Sequence, residues 1–107
     1  MASDKGYLDF IMEQLAGTSA SSRAMMGEYV LYFDGKVVGG IYDNRLLVKP
    51  TASALALMPD APREQPYRGA KEMLLVEDVD NRVFLAALFT AIANDLPAPK
   101  KKKTEVR

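Results

Sequence analysis

Two turn signals, Asp34-Gly35 and Asp43-Asn44, sit inside the stretch MMGEYVLYFDGKVVGGIYDNRLLVKP, residues 25–50, and they constrain this chain more than any other feature. Asp-Gly is a strong two-residue hairpin signal, because both turn positions need positive φ and this pair tolerates that best. Asp43-Asn44 is a second such signal, weaker for want of a glycine. The segments they separate, Tyr29 to Phe33, Lys36 to Tyr42 and Arg45 to Lys49, are rich in aromatic and branched residues that suit a pleated, half-buried surface. The spacing predicts an antiparallel β-meander of three strands. Its two-residue period places Val30 and Tyr32 on one face and Tyr29, Leu31 and Phe33 on the other. Gly39-Gly40 weakens the middle strand, and marks either a bulge or the close approach of a packed helix.

Helical signals flank the meander. Leu8, Ile11, Met12 and Leu15 recur at the i, i+3, i+4, i+7 spacing of one apolar stripe. Ser3 or Asp4 is placed to cap that helix, and Gly17 to stop it. TSASSR then reads as a polar connector, with Arg23 to Met26 either starting a strand or feeding the next one. Thr51 opens a short helix, TASALALM, which Pro59 ends by disfavouring helical angles at Met58. PDAPREQPYRG is a loop with three prolines and a glycine. Lys71 to Glu77 reads as a buried strand. Asp80 is expected to cap a last helix, whose Phe84, Leu85, Leu88, Phe89, Ile92 and Leu96 form a broad apolar face before Pro97. The order of elements predicts one α+β domain over 1–97, with helices covering one face of an antiparallel sheet. Residues 98–107 lack a series of core-forming residues and are expected as a disordered basic tail.

The 107 residues include no cysteine and no histidine. Disulfides, thiolate nucleophiles and iron–sulfur ligation are thereby excluded, and so are Ser-His-Asp and Cys-His sites. Zinc would lack its usual nitrogen and sulfur ligands. No GxxxxGK[ST] or GxGxxG motif is present to cradle phosphates. Asp34 and Asp43 lie at opposite ends of a strand and cannot share a proton. These gaps point away from an enzyme, and no cofactor or metal is expected. No apolar run reaches the roughly 18 residues of a membrane span, and the start lacks a signal-peptide pattern, so a cytoplasmic protein with no membrane attachment is expected.

Formal net charge is zero, from 14 basic and 14 acidic residues. Lys100 to Lys103 and Arg107 are opposed at the end only by Glu105. That leaves 9 basic against 13 acidic residues in 1–99, a net of −4. An acidic body is a poor general surface for phosphate backbones, so nucleic-acid binding would be weak, non-specific and confined to the lysine tail. Two clusters could form a ligand or partner surface. Tyr29, Tyr32 and Tyr42, with Arg45 and Lys49 nearby, could stack bases or grip an anion, although strand tyrosines ordinarily pack their rings, and Arg23 is a further candidate. Arg63, Arg68 and Lys71 surround the proline-rich loop and could clamp a carboxylate or phosphate, although solvated loop cations are commonplace. A short sheet with apolar strand residues also leaves a face or edge suited to a homodimer or a partner protein.

At RAMMGEYVLYFDGKVVGGIYDNRLLVKPT the chain resembles the amino-terminal domain of the TfoX/Sxy family. The matching features are Arg23, Met25 and Gly27, then Tyr32, Asp34-Gly35-Lys36, Asp43, Arg45 and Leu46 to Pro50. The resemblance covers most of residues 5–97 and rests on turn and strand signatures, not on catalytic ones. It implies an α+β fold similar to the type III secretion chaperones. It also implies a bacterial, non-enzymatic regulator, linked to natural competence through a transcription-related protein partner. Full-length members carry a second, helical carboxy-terminal domain, whereas the tail of this chain is lysine-rich.

Overall fold

A computed structural model describes residues 3–97, so the expected basic tail at 98–107 lies outside the described residues. Both hairpin signals act where the sequence places them. Asp34 and Gly35, with φ of 53° and 77°, join β2 (Glu28–Phe33) to β3 (Lys36–Tyr42). Asp43 and Asn44, at 53° and 58°, join β3 to β4 (Arg45–Val48). Positive φ at both positions matches the right-handed twist of the flanking strands.

A third turn of the same kind is hidden in the sequence. Met26 and Gly27, with φ of 52° and 86°, connect β2 to β1 (Ala20–Met25). The polar connector expected at Thr18–Arg23 is therefore mostly strand. Alanine and serine have little strand preference of their own, but β1 pairs with β2 from Ala20 opposite Phe33 to Met25 opposite Glu28. Tertiary pairing overrides propensity here.

The sheet has six strands in the order β1-β2-β3-β4-β6-β5, each neighbouring pair antiparallel. β6 is Met73–Leu75, shorter than the Lys71 to Glu77 expected, and the proline-rich loop contributes the two-residue β5 (Arg63–Glu64) as an edge. Between β2 and β3 the register slips: Leu31 faces Gly39 while Tyr32 faces Val37, leaving Val38 unopposed. This is the bulge that Gly39-Gly40 signalled. The close approach comes from neighbouring strands, not from a helix. A Cβ on Gly39 would overlap the Leu47 carbonyl oxygen, and one on Gly40 would meet the Tyr29 carbonyl and the Tyr42 ring at 2.6 Å.

Three helices cover one face of the sheet. α1 (Lys5–Gln14) is capped by Asp4, whose carboxylate accepts from the Gly6 amide, and α2 (Ala52–Leu57) by Thr51. α3 (Arg82–Asp95) is capped by Asn81, not by Asp80, because it is Asn81 Oδ1 that accepts from the third helical amide, Phe84, at 3.0 Å. The core joins Leu8 and Ile11 of α1, its C-cap Leu15, and Leu85, Leu88, Phe89 and Ile92 of α3 to Leu31, Phe33, Val38, Ile41, Leu46 and Val48. Phe33 and Phe89 meet edge to face, with centroids 6.4 Å apart.

Two charged side chains finish the helix ends. Lys36 Nζ donates to the carbonyls of Ala93 at 2.8 Å and Leu96 at 3.3 Å, supplying a cation at the C-terminus of α3. Asp95 sits on that same negative end, yet its carboxylate accepts from the Ser53 amide at 2.7 Å and the Ser53 hydroxyl at 3.0 Å. It thus serves the N-terminus of α2. The Ser53 amide, then the hydroxyls of Ser53 and Thr51, hold the Asp95 carboxyl below its ordinary range. A depressed folded-state pKa stabilises the fold above the ordinary carboxyl range and loses that effect as pH falls through the folded value. Asp95→Asn should therefore lower Tm at neutral pH, with the gap to wild type closing as the melting buffer is taken down through the carboxylate range.

Candidate functional site

The residues singled out from sequence do not form one surface. Alternation along β2 sends Tyr29 towards the helices, where it packs against the core. Tyr32 and Tyr42 lie on the opposite face, but at opposite ends of β3, since Tyr32 pairs with Val37 and Tyr42 with Arg45. A continuous patch of three tyrosines is thereby corrected to two separate places. Lys49 follows β4 and gives its amide to the Val38 carbonyl at 3.0 Å. Arg63, Arg68 and Lys71 are exposed, with Arg68 in the loop and Arg63 in β5, and among the described residues no ion pair holds them.

One place is built around Tyr42. On the face away from the helices, Val30, Gly40, Leu47 and Leu75 form one row across four strands. Val30 and Leu47 are buried although they stand outside the helix-side core. The Tyr42 ring lies against Gly40, and Tyr67 of the proline-rich loop packs on it, centroids 6.3 Å apart. Arg45 ties that loop down. Its Nη1 meets Glu64 Oε1 at 2.6 Å, its Nη2 donates to the carbonyls of Gln65 and Pro66, and its Nε donates to the Tyr42 carbonyl. Burial, then the nearby Tyr67 and Glu28, push the Tyr42 hydroxyl up from its ordinary pKa. A phenol held neutral in this way is no proton acceptor at neutral pH. Arg45→Ala should free the loop, at a cost of about 1–2 kcal/mol for the lost charge-assisted bonds. Hydrogen exchange should report it as faster amides over 63–70, with the β2 and β3 amides unchanged.

The other place is the outer rim at β1. Arg23, Ser21 and Ser22 of β1, with Tyr32 and Gly35, line an open groove of about 400 Å³. Two of the residues chosen from sequence, Arg23 and Tyr32, therefore do come together. The strand itself is exposed from Ser21 to Met25, and Met26 at its end is 97% exposed. The opposite edge, β5, has only two residues. Sequence reading expected a free face or edge without identifying β1 as that edge, and it missed the Tyr67 contact. A glycine following Met26 was the available sign of the first turn; nothing local signals the contact of Tyr42 with Tyr67.

Elsewhere a crevice of about 250 Å³ is walled by Met58, Leu75 and Phe84 and rimmed by Asp60, Glu77 and Asp78. The described residues bring together no group of three or more His, Cys, Asp or Glu fit for a metal ion. Glu28, the remaining carboxylate near the turns, accepts from the Ser3 hydroxyl at 2.5 Å and the Asp43 amide at 3.3 Å, fastening the amino terminus to the hairpin tips. No described helix is long and apolar enough to cross a membrane.

Fold and surface together define a small α+β domain, three helices on one side of a six-stranded antiparallel sheet with a long open edge. Over 110 aligned residues the chain is 38% identical to the "Uncharacterized 12.7 kDa protein in trpE 5'region" of Spirochaeta aurantia, a match that spans all of this chain and 95% of that protein. The chain belongs to the same family as that Spirochaeta protein. No protein-family model and no solved structure gives a significant match to it.

Proposed function

We propose that this chain is a non-enzymatic, cytoplasmic protein-interaction module. Its role is regulatory, as the TfoX/Sxy resemblance implies, and β1 is its contact strand, for a second copy or for a transcription-related partner. The observation that carries this is the open β1 edge: a sheet edge with unpaired backbone groups accepts an added strand from another chain. The absence of histidine and cysteine from the sequence argues in the same direction, by removing the commonest acids, bases and nucleophiles. The test is affinity capture from a native extract with the wild-type chain and with Ser22→Pro, which blocks the edge. A defined protein held by wild type and released by Ser22→Pro supports the reading. Equal retention by both, or none by either, ends it.

A second reading is favoured by the groove at Arg23. A small anion could sit between the Arg23 guanidinium, the Ser21 hydroxyl and the Tyr32 phenol, in place of the proline-rich loop expected from sequence. Titration with inorganic phosphate should then move the amide resonances of Ser21–Arg23 in wild type and leave Arg23→Ala unmoved. Unmoved resonances in wild type dismiss the groove.

A further inference from the structure

The pattern of free donors along β1 is set by its pairing with β2. The Asp34 amide donates to the Ser19 carbonyl, and the register runs on as Ser21 with Tyr32, Arg23 with Val30 and Met25 with Glu28. In an antiparallel ladder, residues that exchange hydrogen bonds with the neighbour alternate with residues whose N–H and C=O point the other way. Ser21, Arg23 and Met25 are therefore committed to β2, while Ala20, Ser22 and Ala24 direct their backbone groups outward. The Ala20 amide confirms the direction, because it is taken up by the Thr18 hydroxyl at 3.2 Å instead of by β2.

Proteins usually blunt such an edge with a proline, a lysine, a bulge or an inward charge. β1, ASSRAM, has none of these. The side chains on its helix-side row, Ala20, Ser22 and Ala24, are among the smallest available, and Ser22 and Ala24 are exposed. Its one charge, Arg23, lies on the opposite row with Ser21.

We propose that β1 pairs antiparallel with β1 of a second copy of this chain, with Ser22 on the two-fold axis, forming one continuous twelve-stranded sheet. This rests on the reading of the chain as an interaction module and names the partner of that contact strand. Symmetry selects the register. A two-fold axis normal to the sheet keeps the helices of both copies on one side and sets residues of like parity opposite each other. With Ser22 opposite Ser22, Ala20 faces Ala24, and every outward amide and carbonyl of the three residues finds a partner. Four of these bonds form without disturbing the Thr18 hydroxyl: the reciprocal pair between the two Ser22 residues and the two from Ala24 amides to Ala20 carbonyls. Arg23 of each copy then faces Ser21 of the other. Sliding by two residues would put Arg23 opposite Arg23, which like-charge repulsion disfavours. The same sequence thus satisfies its own edge: charge disfavours one slide, and the opposite slide, Ser21 against Ser21, sets Ala24 against Thr18, outside the strand.

The native chain has no cysteine, so Ser22→Cys introduces a single thiol at the axis. Directly opposed Cα atoms at a hydrogen-bonded pair are about 5.5 Å apart, within disulfide reach. Mild oxidation of Ser22→Cys should give a covalent dimer quickly, while Val83→Cys, on the exposed side of α3, stays monomeric. By light scattering the wild type should show twice its monomer mass of 11.8 kDa, and Ser22→Lys, which sets two ammonium groups side by side, should show the monomer mass with an unchanged circular dichroism spectrum. A wild-type monomer at high concentration overturns the pairing, as does a Ser22→Lys dimer or equal crosslinking of the two cysteine variants. If Ser22→Lys fails to fold, the cysteine pair alone decides. A monomer that still captures a protein through β1 would sink the self-pairing and leave the interaction reading standing.

Discussion

Phe89→Ala should lower the stability of the fold by about 3–5 kcal/mol, the usual cost of truncating a buried phenylalanine. Phe89 has no exposed surface, and it is the largest fully buried side chain. Its ring meets Phe33 edge to face and lies among residues of α3 and the sheet. Removal forfeits burial and leaves a cavity whose walls, a helix and a pleated sheet, collapse poorly into it. A domain of this size has about 5–15 kcal/mol of stability in all, so the loss is a large share. Urea unfolding followed by circular dichroism should show the midpoint falling by at least about 1 M with little change in slope. Val83→Ala on the same helix, at a site 79% exposed, should stay within about 0.5 kcal/mol. Similar losses for the two variants would mean that α3 does not pack through Phe89.

How much of this could be read from the chain depends on how local each cause is. Asp34-Gly35 and Asp43-Asn44 carry their turn in two residues, so β2, β3 and β4 were legible almost to their ends. The stripe of α1 was equally local. The first half of β1 was not legible, because Ala20, Ser21 and Ser22 have no strand preference and become strand only by lying beside β2. The only local sign was Gly27 after Met26, a turn whose first residue adopts positive φ against its own preference. The end of α3 shows the same limit in miniature. Asp80 and Asn81 are both good caps, and one hydrogen bond to Phe84 decides between them.

The candidate surface was less legible than the fold, for a physical reason. Period-two alternation already separates Tyr29 from Tyr32, so a surface joining them was never available to a regular strand. Which partner each tyrosine meets is set by residues far along the chain. Tyr42 meets Tyr67 only because Arg45 grips Glu64 and the two carbonyls after it. Tyr32 and Arg23 line one groove only because β1 exists.

Gly39→Ala should be nearly as damaging as the loss of Phe89, at about 3 kcal/mol, although it adds a single methyl group. The added carbon would overlap the Leu47 carbonyl oxygen and lie 2.9 Å from the Val48 Cα, and both are backbone atoms of β4. No side-chain rotation can relieve that. β3 and β4 must part where Gly39 pairs with Val48, beside the bulge at Val38. The amide of Lys49, which donates to the Val38 carbonyl, should lose its exchange protection first. Gly17→Ala separates this effect from simple backbone strain. Gly17 has φ of 84° with nothing within 4 Å of an added Cβ, so it should cost only about 1 kcal/mol. If the two substitutions cost the same, Gly39 is needed for its flexibility alone, and the tight seam between β3 and β4 that frames the Tyr42 row is not as drawn.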